Sequence, residues 1–339
     1  MSDFPWSAFA LNLAWSAVAA LAVMLVTFAV AVRPGGVVEV PHSTHGARHA
    51  PPSSSSRGYP HSPHRPKTHV APLRGPSSGT TRPRTGHRGH RTGLPQHPLG
   101  LHRIVDIAWG VGFTAVAVVT CVASAGQGDP VRRLLVTALT AIWGLRLAAH
   151  IARRGRGHGE DPRYEAILSK APGNRNAYAL RMIYLLQGAL VWLVSLPVQA
   201  AQYVPDPPSV LTWAGAGLWA VGLGFEAVGD AQLARFKADP ANQGRIMDRG
   251  LWSWTRHPNY FGDFCVWWGL FLTACDSPAA GAVSVVSPVV MSLLLTRGSG
   301  KRLLEKHMAD RPGYTEYQAR TSGFFPRPPK RKHSGAGAR

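Results

Sequence analysis

Long apolar stretches alternate with short polar, mostly basic segments along most of this chain. A helix needs about 20 apolar residues to cross a bilayer core of about 30 Å. Seven stretches reach or approach that length, namely 6–32, 104–125, 131–151, 177–200, 210–233, 261–274 and 279–295. The first is too long for a signal peptide and lacks a basic start. The pattern therefore predicts an all-α, polytopic membrane helix bundle with about seven transmembrane helices.

The charged residues of the loops are divided unevenly between the two sides of this predicted bundle. Arg and Lys concentrate in the loops after the first, third and fifth stretches and in the C-terminal tail. The other loops, 126–130, 201–208 and 275–278, contain aspartates but no Lys or Arg. Because cytoplasmic loops carry an excess of Lys and Arg, this alternation predicts an N-terminus outside and a C-terminus in the cytoplasm.

The overall charge narrows the class of partner. A formal net charge of +20 would suit either nucleic acid or an anionic membrane surface. No folded basic domain remains once the apolar stretches are removed, so we expect membrane lipids as partners and no nucleic acid. High usage of Ala, Arg, Gly and Pro suggests a GC-rich bacterial genome and hence the plasma membrane. The oligomeric state is left open.

One polar segment interrupts the apolar pattern. Residues 34–100 are rich in Pro, Ser, Gly, Arg and His and hold little apolar material, so we expect disorder. This loop either binds a metal or lipid headgroups or is an insertion without such a role, and its histidines lack a regular ligand spacing. The predicted organisation is a first transmembrane helix (1–33), this loop (34–100), a six-helix membrane domain (101–326) and a disordered basic tail (327–339).

Ionisable residues inside membrane spans are costly and usually mark tight pairing or function. Arg146 and His150 are four residues apart in the third stretch, and Glu226 and Asp230 are four apart in the fifth. Residues at this spacing share one face of a helix, so the two helices are predicted to pair. The pairs either fix the register of the helices or line a polar cavity that admits a charged, soluble cofactor from the cytoplasm.

The densest polar segment precedes the sixth stretch and reads Arg256-His-Pro-Asn-Tyr-Phe-Gly262. Pro258 suits the first turn of a helix, whose free amides favour a phosphate. Arg256 and Arg245 could add charge-assisted hydrogen bonds, and His257 and Asn259 offer further polar groups. The alternative is an interfacial belt of aromatic residues and arginines.

An ordered set of short motifs resembles a known family. It comprises Val105-Asp-Ile-Ala-Trp-Gly110, Trp143-Gly-Leu-Arg-Leu147, Glu160-Asp-Pro-Arg-Tyr164, Gly229-Asp-Ala-Gln-Leu233, Arg256-His-Pro-Asn-Tyr-Phe-Gly262 and the closing Tyr314, Tyr317 and Phe325-Pro326. Together they are similar to the bacterial branch, labelled a domain of unknown function, of the steroid 5-alpha-reductase-like membrane protein family.

The resemblance implies an NADPH-dependent reduction of an activated carbon–carbon double bond in a lipid, such as a steroid or isoprenoid enone. The cofactor contacts that it implies by position are Arg146, Arg156, Asp230, Arg245, Asn259 and Asp263, which join Arg256 and His257.

The resemblance also implies an acid that polarises the carbonyl oxygen of the substrate. Characterised steroid reductases use a glutamate and a tyrosine there, whereas this chain has Asp106 and Trp143 at the corresponding places. The candidates for the acid are therefore Asp106, Tyr164 and Tyr260, with Tyr184 as a further tyrosine.

Two other functions compete with this one. Arg-His-Pro-x-Tyr also resembles isoprenylcysteine carboxyl methyltransferases and phospholipid methyltransferases, and Glu305 with the closing Tyr-x-x-Tyr resembles their C-terminus. That similarity implies methyl transfer from S-adenosylmethionine to a lipid or prenylated group. A non-catalytic membrane protein whose polar helices merely pair is the third hypothesis.

Overall fold

The structure, a computed structural model, describes residues 4–32, 102–156, 160–298 and 300–330. Every regular element in these ranges is helical, apart from an isolated bridge between Thr255 and Ser322. This confirms the all-α prediction. The predicted disordered loop, 34–100, lies outside the described residues, and so does 331–339 of the predicted tail.

The helices follow one another with short connections. In chain order they are α1 (Trp6–Ala31), α2 (Val105–Ala123), α3 (Pro130–Gly155), α4 (Pro162–Leu168), α5 (Arg175–Ala179), α6 (Leu186–Val194), α7 (Leu196–Ala201), α8 (Val210–Ala238), α9 (Leu251–Trp254), α10 (Pro258–Ala274), α11 (Pro278–Ser284), α12 (Val286–Thr296), α13 (Lys301–Met308) and α14 (Tyr314–Arg320). A π-helical segment, Leu180–Leu185, joins α5 to α6. Single 3₁₀ turns at His102–Ile104 and Pro240–Asn242 complete the described structure.

Among the described residues, six helical stretches are long and apolar enough to cross a membrane, by length and composition. They are Trp6–Ala31, His102–Ala123, Pro130–Gly155, Arg175–Val194, Val210–Ala238 and Pro278–Met308. The predicted number of about seven is one higher, and the difference lies at 261–274. The helix there, α10, has 17 residues and is therefore about 26 Å long, somewhat short of a bilayer core.

The outward faces of the long helices are apolar. Val26 of α1, Val122 of α2 and Val210 of α8 expose between 65 and 83% of their surface. An apolar surface of this extent is disfavoured in water and suits the hydrocarbon of a bilayer. The architecture therefore indicates a membrane protein, whereas the orientation of its termini stays a prediction.

Polar side chains mark where several helices begin. Asp129 accepts the Arg132 amide at the start of α3, and Ser209 accepts the Leu211 amide at the start of α8. Proline follows the cap directly in α3, α4 and α11. Caps of this kind satisfy amides that have no partner within the helix.

Glycines allow the central helices to approach closely. A Cβ atom on Gly222 of α8 would lie 2.5 Å from the backbone oxygen of Gly262 in α10. A Cβ atom on Gly110 of α2 would likewise lie 2.1 Å from the backbone oxygen of Gly144 in α3. Small residues at such contacts are typical of helices that pack within membranes.

A buried arginine connects α3, α8 and α10 at one end of the bundle. Arg132 is fully buried and donates hydrogen bonds to Thr212 Oγ1, the Thr273 carbonyl (2.7 Å) and Asp276 Oδ2 (2.6 Å). Asp276 also accepts the amide and hydroxyl of Ser209. We call these five residues the Arg132 network. The sequence analysis assigned no basic residue to the loops at this end, and the structure places Arg132 inside the bundle, where Asp276 neutralises it.

Candidate functional site

The other ends of the same three helices carry the ionisable residues singled out from the sequence. Arg146 donates to Glu226 Oε2 at 2.6 Å and also to Asp230 Oδ2. Trp143 Nε1 donates to Glu226 Oε1 at 2.9 Å, and His150 Nε2 lies 3.5 Å from Asp230 Oδ2. These contacts confirm the predicted pairing of the two helices.

A third carboxyl group joins this network from α10. Asp263 interacts with Glu226, Arg146 and Asp230, and its Oδ1 atom is buried without a hydrogen-bond partner in the described part of the chain. We call Trp143, Arg146, Glu226, Asp230 and Asp263 the Arg146 network. It brings together three of the predicted cofactor contacts, Arg146, Asp230 and Asp263.

Two of the candidate acids form a direct pair. The Tyr164 hydroxyl, on α4, donates to Asp106 Oδ1 at 2.5 Å, while Arg163 donates to the other oxygen of Asp106 at 2.9 Å. Burial, followed by the negative charge of Asp106, raises the pKa of Tyr164 well above its ordinary value. Tyr164 therefore remains a protonated hydrogen-bond donor at physiological pH.

Gln187 supports this pair from the helix that follows the π-helical segment. Its side chain interacts with Tyr164 and accepts a hydrogen bond from Trp109 Nε1 at 2.5 Å. π-helical turns frequently accompany functional sites because they shift the register of the side chains that follow. The sequence analysis assigned Gln187 no role, since nothing in the local sequence pairs it with residues of α2 and α4.

The third candidate acid, Tyr260, lies three residues before Asp263 on α10. It occupies the first turn of α10, and its ring stacks on His257 with centroids 5.3 Å apart. The charges of Asp263 and Arg163 both act on its hydroxyl. The fourth tyrosine, Tyr184, instead bonds His102 Nδ1 at 3.0 Å.

Arg256 and His257 meet at a single carboxylate, that of Glu305 in α13. Arg256 Nη2 donates to Glu305 Oε1 at 2.8 Å, and His257 Nε2 lies 3.1 Å from the same oxygen. The guanidinium also donates to the Thr321 carbonyl at 2.6 Å. These contacts attach the C-terminal helices to the start of α10, so most of the hydrogen-bonding capacity of Arg256 is used within the protein.

His257 is the most buried residue of this cluster, with 2% of its surface exposed. Burial lowers the pKa of His257 to about 4, so the imidazole is neutral at pH 7. Because its Nε2–H donates to Glu305, its Nδ1 is left as an acceptor, and that atom is buried without a partner among the described residues.

The remaining predicted cofactor contacts lie nearer the surface. Arg156 is exposed at the end of α3, Arg245 is exposed in the loop after α8, and Asn259 is half-buried in the first turn of α10. The fold thus divides the predicted set between the Arg146 network, the Glu305 contacts and this outer group.

Three further cations were not connected by sequence reasoning. Arg154 at the end of α3 and Arg311 before α14 both act electrostatically on Lys237 at the end of α8. Within the described ranges none of the three pairs with a carboxylate. Only the fold brings them together, because they lie in separate segments of the chain. Their uncompensated charge suits a phosphate.

An apolar cavity of about 500 Å³ lies between α1 and α2. It is lined on the α2 side by Ile104, Ile107, Ala108 and Val111, which surround Asp106 in the sequence. A second cavity lies at α4, next to Glu160 and Glu165.

The chain matches the sequence model of a family described as "Protein of unknown function (DUF1295)" over residues 96–321. It is also 26% identical over 254 residues to the uncharacterized protein C594.04c of Schizosaccharomyces pombe, an alignment that covers 66% of this chain and 72% of the relative. No solved structure matches the chain. Since the family match extends over more than half of its residues, this protein belongs to the DUF1295 family.

Proposed function

We propose that this protein is an integral membrane oxidoreductase that uses NADPH to reduce a carbon–carbon double bond conjugated to a carbonyl group in a lipid, such as a steroid-like or isoprenoid-like enone. The observation that carries the proposal is the hydrogen bond of the buried Tyr164 to the half-buried Asp106, which Arg163 holds. The motif resemblance to steroid 5-alpha-reductase-like proteins supports it.

The pair has the properties of an acid that polarises a carbonyl oxygen. NADPH would supply the hydride to the β carbon of the enone, and negative charge would then develop on the carbonyl oxygen. A hydrogen bond from the neutral Tyr164 hydroxyl stabilises that charge. The Tyr164 hydroxyl would turn its hydrogen from Asp106 Oδ1 to the substrate oxygen, while Arg163 compensates the charge of Asp106. Arg163 and Gln187 fix the geometry of the pair.

The residues present fit a phosphorylated dinucleotide. The uncompensated charges of Arg154, Lys237 and Arg311 suit its phosphates. The buried, unpartnered atoms Asp263 Oδ1 and His257 Nδ1 are of the kind that hydroxyl or amide groups of a ligand satisfy. These residues belong to the ends of the bundle next to the basic loops, so we place the cofactor on the cytoplasmic side.

The substrate part of the proposal rests on the apolar cavity between α1 and α2. Its lining of aliphatic side chains suits a hydrocarbon chain or ring system, and its α2 side includes Ile107 next to Asp106. A lipid that enters between these helices would present its polar end near the Tyr164–Asp106 pair. The lipid would therefore not need to leave the bilayer.

A lipid methyltransferase that uses S-adenosylmethionine is the second candidate. The contacts of Glu305 favour it, because Arg256 and His257 hold that carboxylate in place. Tyr317 also donates to the Trp252 carbonyl at 2.6 Å and thereby fixes the closing helix. A carboxylate fixed in this way could bind a positively charged ligand.

Ligand-dependent thermal stability separates these candidates. The protein is purified in detergent and its unfolding is followed with NADPH, NADH and S-adenosylmethionine in turn. A ligand that binds only the folded state stabilises it by about 2.7 kcal/mol at a hundredfold excess over its dissociation constant. We expect a shift with NADPH. A shift with S-adenosylmethionine alone would replace the first candidate by the second, and no shift with any of the three would contradict both.

Tyr164→Phe tests the acid itself. We expect reduction of enone lipids to fall by about 10²–10⁴-fold, while the NADPH-dependent shift remains, because the hydroxyl acts on the substrate. Tyr178→Phe, a partly buried tyrosine outside this site, is the matched control and should leave the rate unchanged. Equal rates in the two variants would exclude Tyr164 as the acid.

A further inference from the structure

The Arg146 network holds more acid than base. Its three carboxyl groups, those of Glu226, Asp230 and Asp263, face a single guanidinium. The two terminal nitrogens of Arg146 already bind Glu226 and Asp230. The remaining basic group, His150, lies at the edge of the network, 3.5 Å from Asp230.

The carboxyl groups that outnumber the single guanidinium are buried. The Glu226 side chain exposes 3% of its surface, and Asp263 Oδ1 has neither solvent contact nor a partner in the described residues. The close contact of α8 and α10 produces this arrangement, since a Cβ atom on Gly262 would lie 2.6 Å from Glu226 Cγ. Charged groups in such an environment must be paired or lose their charge.

Asp263 directly follows Gly262, which packs against the Glu226 side chain, and the carboxyl groups of Asp263 and Glu226 act on each other across this contact. A hydrogen bond between two carboxyl groups requires a proton on one of them. Two adjacent carboxylates in a site of low dielectric constant cannot both remain ionised, as the carboxyl pairs of aspartic proteases illustrate. Arg146 and Trp143 donate hydrogen bonds to Glu226 and compensate one negative charge of the pair, and a proton shared with Asp263 removes the other.

We infer that Glu226 and Asp263 share one proton at neutral pH and that this pair supplies the proton consumed in each reduction. The first half of the inference stands on the geometry of the pair, and the second half rests on the proposed function.

The proposed reduction consumes one proton in each turnover. NADPH would supply a hydride for the C–H bond at the β carbon and leave as NADP⁺, and the electrons of the double bond would pass to the α carbon and the carbonyl oxygen. A proton then forms the second C–H bond at the α carbon and restores the carbonyl group. A buried acidic group next to the site can supply that proton faster than bulk solvent.

The neighbours of the pair provide a path for it. Tyr260 lies three residues before Asp263 on α10, and the charges of Asp263 and of Arg163, beside Tyr164, both act on its hydroxyl. Asp230 and His150 expose 12% and 22% of their side chains, so the pair can be reprotonated from the basic side through them. Cys265 also faces Glu226, but it remains a thiol beside a carboxyl group and carries no charge.

Infrared spectroscopy of the purified protein tests the shared proton without substrate or cofactor. At pH 7 we expect the C=O stretch of a protonated carboxyl group, which shifts in D₂O and is lost in both Asp263→Asn and Glu226→Gln. Asp230→Asn is the matched control and should retain the band. Absence of the band in the unaltered protein, or its loss only in Asp230→Asn, would overturn the inference.

The use of the proton is tested by kinetics. In Asp263→Asn we expect an NADPH-dependent thermal shift to persist, because the cations of the proposed phosphate site are unaltered. We expect kcat to fall at least tenfold and its pH profile to change, because protons must then come directly from solvent. A reductase with an unchanged kcat and pH profile in this variant would refute the role of the pair. If the infrared band is present but the protein reduces no enone, the shared proton is upheld, whereas the role of the pair in the reduction and the proposed function are both refuted.

Discussion

The same three helices, α3, α8 and α10, are joined by a polar network at each end. Arg132 and Arg146 are 14 residues apart on α3, and Thr212 and Glu226 are 14 apart on α8, so the networks lie about 21 Å apart along the helices. In each network an arginine of α3 binds partners on or next to the other two helices. Arg132 is buried and Arg146 is half-buried.

The two networks differ in the balance of their charges. In the Arg132 network one guanidinium faces one carboxylate, and hydroxyl and carbonyl groups satisfy the other nitrogens at its tip. In the Arg146 network three carboxyl groups share one guanidinium, and Asp263 Oδ1 has no partner in the described residues. A balanced network holds helices together, whereas a surplus of buried acid is retained at a cost and marks a candidate site.

The largest expected effect is the loss of the balanced network. Arg132→Met leaves the Asp276 carboxylate without its cation and several carbonyl groups without a donor, and breaking such a buried ion pair costs about 3–5 kcal/mol. We expect a fall of that size in the free energy of unfolding, measured by denaturant titration in detergent.

Arg133→Gln is the control for this change. Arg133 is the next residue, and within the described ranges its guanidinium binds Ser124 and the Cys121 carbonyl, at a less buried position. We expect a loss below about 1 kcal/mol. A similar loss in both variants would show that the Arg132 network does not connect the helices more strongly than an ordinary surface contact.

The second prediction compares how the two ends of α10 respond to acid. The pKa of His257 is lowered by burial to about 4, whereas in the unfolded chain it is about 6.5. The unfolded state therefore binds a proton that the folded state excludes, and stability is lost as the pH falls from about 6.5 to about 4. The loss amounts to roughly 3 kcal/mol.

At the other end, burial works to raise the pKa of Asp276, but hydrogen bonds from Ser209 and Arg132 outweigh it and lower that pKa. Asp276 therefore contributes stability above its ordinary pKa and loses it only at lower pH. His257→Gln should remove the pH dependence between 6.5 and 4, while His307→Gln, an exposed histidine of α13, should preserve it. An unchanged pH dependence in His257→Gln would contradict the neutral, buried state of this imidazole.

Periodic features of the sequence predicted much of this architecture. The apolar stretches located the long helices, and the spacing of four residues between Arg146 and His150, and between Glu226 and Asp230, predicted their pairing. These features are local, because residues three or four apart share a helical face whatever the rest of the chain does.

Contacts between distant segments could not be predicted in this way. Arg132 and Asp276 belong to different helices, and in the sequence Arg132 is indistinguishable from an arginine at a membrane interface. Arg256 was assigned to a phosphate from its place before Pro258, but most of its hydrogen bonds go to Glu305 and Thr321. Only the packing of the helices decides between these roles.

The smallest expected effect concerns the contact of α8 and α10 that lies between the two networks. A methyl group at Gly222 would lie 2.5 Å from the Gly262 backbone oxygen and 2.8 Å from the Val266 amide, and neither backbone can move without separating the helices. We expect Gly222→Ala to cost about 1–3 kcal/mol of stability. Gly224→Ala, two residues further on the same helix, adds a methyl group in open space and should stabilise the protein by up to about 1 kcal/mol through helix propensity.

If the variants were equally stable, the helices would not be in close contact there, and the approach of Asp263 to Glu226 would lose its structural basis. If only Gly222→Ala is destabilised, the infrared band of the shared proton should weaken in that variant as well.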